Sequence, residues 1–286
     1  MTETAKKTLT YLEQHLYNPN TQLYQSSQSA IDLKNQEGGD YLWTKAALQK
    51  QLSPEEWTLI KEAWHLDQPA PYDIGWHPFP PNHPSTNSWK SIRFALQTPP
   101  NQIPVDSKSI LGWNGLILSA YAQAYQSLKS PTYQQKGQTL AIRLTQLIEQ
   151  THPPRALSRQ GKPMGEATLQ DYAFIYQGLT DWKKATGKTI SSNTLQSLKN
   201  TILHQFLNPT GWQYHASPLL PGQQSEWQMI DDAIPSPTAI VSCLKPDTLA
   251  FSSTEILKNP IAYASYYQTR TKCAVIPALS PLKHNK

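Results

Sequence analysis

The 286-residue chain contains no apolar run of about 18 residues, the minimum for a helix that crosses a bilayer, so a membrane span is not expected. Lys6 and Lys7 are not followed by an apolar segment of the kind a secretory signal needs, and a cytoplasmic location is the default expectation. Cysteine is scarce: Cys243 and Cys273 stand far apart, with no CxxC pair. Neither a dithiol redox centre nor a zinc knuckle can be built from them. Charge is thin as well, at 16% of residues, and the net excess is only +5. Part of that excess lies in the basic tail over 270–286, which is too sparse a stripe for a nucleic-acid footprint. The chain also lacks a glycine-rich phosphate loop, a GxSxG elbow and an HExxH zinc motif. His77 and His83 in a Pro-rich loop, with Asp73 the one close acid, do not match metal-ligand spacing, so no metal and no cofactor are expected.

Aromatic residues are plentiful but skewed, with 14 Tyr and 9 Trp against 5 Phe. Tyr and Trp join a large apolar face to a hydrogen-bonding tip, which suits both a cleft for polar rings and an amphipathic core. Hydrophobic spacing predicts helices over Lys108–Leu128, Pro131–Gln150, Glu166–Thr186 and Leu195–Phe206, as two consecutive helical hairpins. Several helix starts use one device, a capping side chain followed by Pro: Ser53-Pro54, Ser130-Pro131, Ser236-Pro237 and Asn259-Pro260. Ser53 is followed by Glu56, which completes a capping box. Short strands are expected at Gln22–Ser26 and Asp40–Trp43, paired across a polar loop, and at Trp212–His215, paired after Gln224. Residues 68–86 read as a loop dense in Pro and aromatics.

Four segments, in order, resemble one family. Glu37-Gly-Gly-Asp-Tyr-Leu-Trp-Thr44 resembles EGxFYxWT, and Asp106 through Trp113-Asn114-Gly115 resembles DxKxxxxWNGL. Leu157-Ser-Arg159 with Leu169 through Phe174 resembles LxR…LxDYAF, and Asp231 through Ser236 resembles DxAxPS. Together they span roughly residues 8–245 and are similar to the thioredoxin-domain-containing proteins related to spermatogenesis-associated protein 20. The resemblance implies an all-α (α/α) toroid, six-hairpin glycosidase-like, with a few short strands. About four hairpins are readable where the family has six, and the family's thioredoxin domain has no counterpart here. The expectation is therefore one toroid-like domain over 1–286, incomplete.

In such a toroid the inner helices share one direction, and their N-termini share one rim. Asp106, Asp171 and Asp231 would then bring three carboxylates to one mouth as catalytic candidates. Arg159, Trp113, Asn114, Tyr172 and Trp43 would form the substrate-binding wall. An Asp near a helix start commonly acts as a cap instead, and Asn114-Gly115 inside a helix suits close helix packing better than ligand approach. The functional expectation is a carbohydrate-active-like protein that binds or acts on a sugar by glycosidase-like or epimerase-like chemistry, or a degenerate relative of one. The alternative is a non-enzymatic module that packs on a thioredoxin-like partner.

Overall fold

The computed structural model describes residues 2–80, 86–97, 103–187, 191–208, 211–217 and 233–244. Helix takes 55% of these residues and strand 12%, as expected of a helical protein with few strands. In chain order the elements begin with α1 (Thr2–His15), β1 (Tyr17–Asn18), β2 (Leu23–Tyr24), β3 (Ser27–Gln28), α2 (Lys45–Gln51), α3 (Pro54–Ala63), α4 (Thr86–Ala95) and β4 (Val105–Asp106). There follow β5 (Ser109–Ile110), α5 (Leu111–Leu128), α6 (Pro131–Ile148), β6 (Pro154–Leu157), β7 (Pro163–Glu166), α7 (Leu169–Thr186), α8 (Ser192–Phe206), β8 (Leu207–Asn208), β9 (Gly211–Trp212) and α9 (Pro237–Val241).

Where the sequence suggests one domain, the chain divides into two compact units, residues 26–106 and the remainder. Each has its own core, because each supplies its own set of inward-facing apolar positions. In the 26–106 unit, Leu48, Leu52, Ile60, Trp64, Leu66, Trp76, Ile92 and Leu96 gather around α2–α4. The expected capping box opens α3: Ser53 Oγ accepts from Glu56 N at 3.2 Å, and Glu56 Oε2 accepts from Ser53 N at 3.0 Å. Asp40–Trp43 does not pair with Gln22–Ser26. Trp43 bridges Trp76 instead, through two backbone bonds of 2.9 Å, while β2 pairs with β1. A four-residue connection between β1 and β2 makes a local hairpin, which costs less closure entropy than the longer pairing.

The larger unit is organised by α5 and α7. Gly112 faces Asp171, Gly115 faces Phe174 and Ile175, and Ser119 Oγ donates to Asp181 Oδ2 at 2.9 Å. Residue numbers rise together on both helices, so the two are parallel. Between them α6 doubles back through Lys129 and Ser130. Lys129 closes α5 in the left-handed conformation (φ 50°) with its N–H on Tyr125 O, and Gly187 closes α7 in the same way. The parallel pair approaches closely because its contact face carries glycine. A Cβ on Gly115 would stand 2.5 Å from Phe174 backbone atoms, and one on Gly178 would stand 2.3 Å from Gly115 O. On the outer side, Gly137 of α6 receives the fully buried Trp182 ring, whose Nε1 donates to Gln138 Oε1 at 3.3 Å.

Two further pairings differ from expectation. Glu166, expected to open a helix, instead ends β7 in a three-stranded sheet ordered β5-β6-β7, and the helix begins at Leu169. The turn at Gly161 (φ 85°) between β6 and β7 explains this, since a left-handed turn suits a hairpin rather than a helix start. β9 pairs back on β8, and residues 218–232, which include the start of the segment after Gln224, lie outside the described residues. The Asn259-Pro260 start, His83, Cys273 and the 270–286 tail lie outside the described residues. Among the described residues no helix is long and apolar enough to cross a membrane.

Candidate binding site

Asp171 sits where α5 and α7 begin. Its side chain has no exposed surface. Oδ2 accepts from Thr168 N and Thr168 Oγ1, both at 2.9 Å, and Oδ1 accepts from Gly112 N at 3.1 Å. Helix N-termini leave backbone N–H groups without intrahelical partners, and one carboxylate here serves two such termini at once. Burial pushes the Asp171 carboxyl above its ordinary value, against the pull of Thr168, Arg155 and Gly112. A group sealed in this way does not reach a substrate, so the catalytic expectation for Asp171 gives way to a structural role.

Its charge partner is Arg155, whose Nη1 lies 3.9 Å from Oδ2, and not Arg159. Arg155 also donates to Thr168 Oγ1 at 3.2 Å and Tyr214 Oη at 3.0 Å. Arg155 lies within β6, where the sheet register aims its side chain. Arg159 lies in the following turn and is exposed, and its carbonyl accepts from Asn18 Nδ2 at 2.9 Å.

Asn114 is also occupied. Oδ1 accepts from Tyr24 N at 2.8 Å, and Nδ2 donates to Tyr24 O at 3.0 Å and Ile110 O at 2.9 Å. The side-chain amide thus stands in for a neighbouring strand and holds β2 on α5. That use replaces the expected substrate contact. Tyr172 is buried with its ring 5.3 Å from that of Phe206, and burial raises its phenol, so it belongs to the core and not to a cleft wall. Trp113 is half-buried on α5. Asp106 and Trp43 belong to the 26–106 unit, where Asp106 pairs with Ser27 across β3–β4. Asp231 lies outside the described residues. Among the described residues of the larger unit Asp171 is the one of the three expected carboxylates present, so the three are not brought together there.

A different group of side chains is. Glu13 on α1 accepts through Oε1 from the Tyr24 and Tyr121 hydroxyls, and through Oε2 from Lys136 Nζ. The two hydroxyls are themselves 2.9 Å apart. The Lys136 ammonium also lies 5.2 Å from the Tyr17 ring centroid, within cation–π range. Burial pushes Glu13 upward, but Lys136, Tyr121 and Tyr24 outweigh it and hold the carboxyl below its ordinary value. Burial first, and then Glu13, push the Tyr24 and Tyr121 phenols well above the ordinary tyrosine value. At neutral pH Glu13 is therefore a carboxylate and both phenols keep their protons.

This cluster backs a cavity of about 410 Å³ lined by Tyr17, Gln22, Tyr24, Gln135, Lys136, Thr139 and Leu140. All seven belong to the larger unit, and the volume is within the range of small-ligand sites. Gln22, at the turn of the β1–β2 hairpin, has φ 58°, a left-handed conformation that a non-glycine residue adopts at a cost of about 1–2 kcal/mol. Strain of this kind is concentrated at functional positions. Sequence reasoning passes over this site because its members lie on α1, β1, β2, α5 and α6, and no local motif joins them. The abundance of tyrosine was the one signal of it.

No protein-family model matches the chain, and no curated protein matches it.

Proposed function

We propose that the larger unit is a binding module for a small polyhydroxylated ring, a sugar by class, and that the tyrosine-walled cavity is its site. The observation that carries this reading is the lining itself. Tyr17, half-buried at the lining, offers ring surface of the kind that covers the C–H face of a sugar ring, and Tyr24, whose ring is buried against Tyr17 and Tyr121, backs it. Gln22 and Gln135 offer both donors and acceptors, and Thr139, which donates to Gln135 O at 3.2 Å, keeps acceptor capacity. Binding without turnover fits better than hydrolysis. Glycoside cleavage uses two carboxyl groups across a bond, one of them protonated. Here Glu13 is the acid beside the cavity, and its three donors keep it ionised. The parallel α5 and α7, with α6 folding back between them, support an (α/α) toroid as the wider architecture, with α5 and α7 inner and α6 outer.

The test is calorimetric titration with neutral mono- and disaccharides. Saturable binding is expected, and Gln135→Trp, at an exposed position of the rim, should fill the cavity and abolish it. Undiminished binding by that variant would place the ligand elsewhere.

A second reading concerns the 26–106 unit. Phe94 is 82% exposed and Leu33 78%, with Ile31 and Tyr72 also exposed. Large apolar side chains left in water support a docking role, and the resemblance supplies a thioredoxin-like domain as the partner to test. Phe94→Glu should weaken that association without altering the melting of the isolated chain.

A further inference from the structure

We propose that the cavity selects a neutral ring over its anionic counterpart, and that Glu13 sets this selectivity without lining the cavity. The inference rests on the sugar-binding reading above. Lys136 brings the one charged group to the lining. A lone ammonium in a cleft would draw carboxylate- or phosphate-bearing ligands. Here it is not alone: its Nζ is held by Glu13 Oε2, directly behind the wall. Glu13 is in turn fixed by the Tyr24 and Tyr121 hydroxyls, so it does not swing away when a ligand arrives. The pair presents no net charge to the cavity, while Lys136 retains N–H groups that Glu13 does not use. Those donors suit a hydroxyl oxygen. An anionic ligand would gain Lys136 but meet Glu13 behind it, so the attraction and the repulsion largely cancel, and the cost of stripping water from the ligand's own charge is left unrepaid, which favours the neutral ring.

Glu13 is therefore a positioning residue whose charge defines which ligands the site accepts. Glu13→Gln keeps an acceptor oxygen for the tyrosine hydroxyls but leaves Lys136 uncompensated, which turns the site toward anions. Lys136→Gln leaves Glu13 uncompensated and makes the site reject anions more strongly.

The experiment measures Kd for matched pairs, glucose with glucuronate and galactose with galacturonate, in the wild-type chain and in both variants at low and high salt. Thermal melts accompany each titration. The wild type should prefer the neutral member about tenfold or more. Glu13→Gln should shift the ratio at least tenfold toward the uronate, with a shift that shrinks at high salt. Lys136→Gln should move it the opposite way, so the inference stays testable if Glu13→Gln does not fold. Neutral binding with a ratio unchanged in the folded variants would overturn this inference alone. Absence of binding by every protein to every sugar would overturn the sugar-binding reading, and this inference with it. A wild-type preference for the uronate would refute the role given to Glu13.

Discussion

Gly115→Ala sets two effects of opposite sign against each other. Helix propensity favours the change: an interior Gly costs about 1 kcal/mol relative to Ala, so α5 alone should gain that amount. Packing opposes it. The new methyl would lie 2.5 Å from the Phe174 carbonyl carbon and oxygen and 2.7 Å from Ile175 N, against an ordinary contact of 3.4–4 Å. These are backbone atoms of a helix, and they cannot rotate away as a side-chain end would. The α5 and α7 axes must separate by roughly 1 Å, which loosens contacts along the shared face and stretches the 3.1 Å bond from Gly112 N to Asp171. Overpacking of a core costs about 1–3 kcal/mol even where side chains can adjust, and this site sits at the upper end of that range. The expected net loss is about 2 kcal/mol, a fall in melting temperature of about 4–8 °C for a domain of this size. The assay is thermal unfolding followed by circular dichroism. Ala120→Gly, at an exposed position of the same helix, should cost about 1 kcal/mol and calibrates the propensity term. A Gly115→Ala variant that melts higher than the parent by the amount Ala120→Gly melts lower would refute the close-packing argument.

Asp171→Leu should cost about 3–5 kcal/mol, because it orphans three buried donors at two helix starts. Asp171→Asn should cost only about 1–2 kcal/mol, since the amide is cheaper to bury than the charge but turns a donor toward Gly112 N; equal melts for the two variants would contradict this assignment. Asn114→Ala should lose about 2–4 kcal/mol by stripping Tyr24 of both backbone partners, and amide exchange at Tyr24 should rise above the rest of the core. The lowered carboxyl of Glu13 means the native state binds its proton less readily than the unfolded chain. Its stabilisation is present above the ordinary glutamate value and is lost as pH falls through the lowered native one, so Glu13→Gln should flatten the acid limb of a stability–pH curve. Ser53→Ala should cost about 1 kcal/mol in the 26–106 unit through loss of the cap on Glu56 N.

The helices were legible because their signals are local. The expected spans of α5, α6, α7 and α8 agree with the observed ones to within about three residues, and the Ser53 and Ser236 caps accept from Glu56 N and Ala239 N as their Pro neighbours suggest. Gly115 was legible too, since a Gly in the interior of a helix asks for a close neighbour. The site was not. Arg159 stands out in the sequence through the LxR resemblance while Arg155 carries no motif, yet it is Arg155, within β6, that meets Asp171. Glu13 is one acid among several polar residues of α1, and its importance comes from Tyr121 and Lys136, more than a hundred residues downstream. The aspartates drew attention because helix starts are conspicuous, and capping turned out to be what Asp171 does.

The chain leaves the larger unit after Gln25 and rejoins it at Ser107, and β3 and β4, just inside those points, lie side by side. The 26–106 unit is thus an insertion whose two ends are held together by its own folding. While it is folded, the gap between β2 and β5 is short and already closed. If it unfolds, the same gap becomes a floppy loop of about eighty residues, and closing such a loop costs on the order of 3–4 kcal/mol. Melting of the insertion therefore weakens the larger unit through chain connectivity alone, and a brief linker in its place would restore the lost stability.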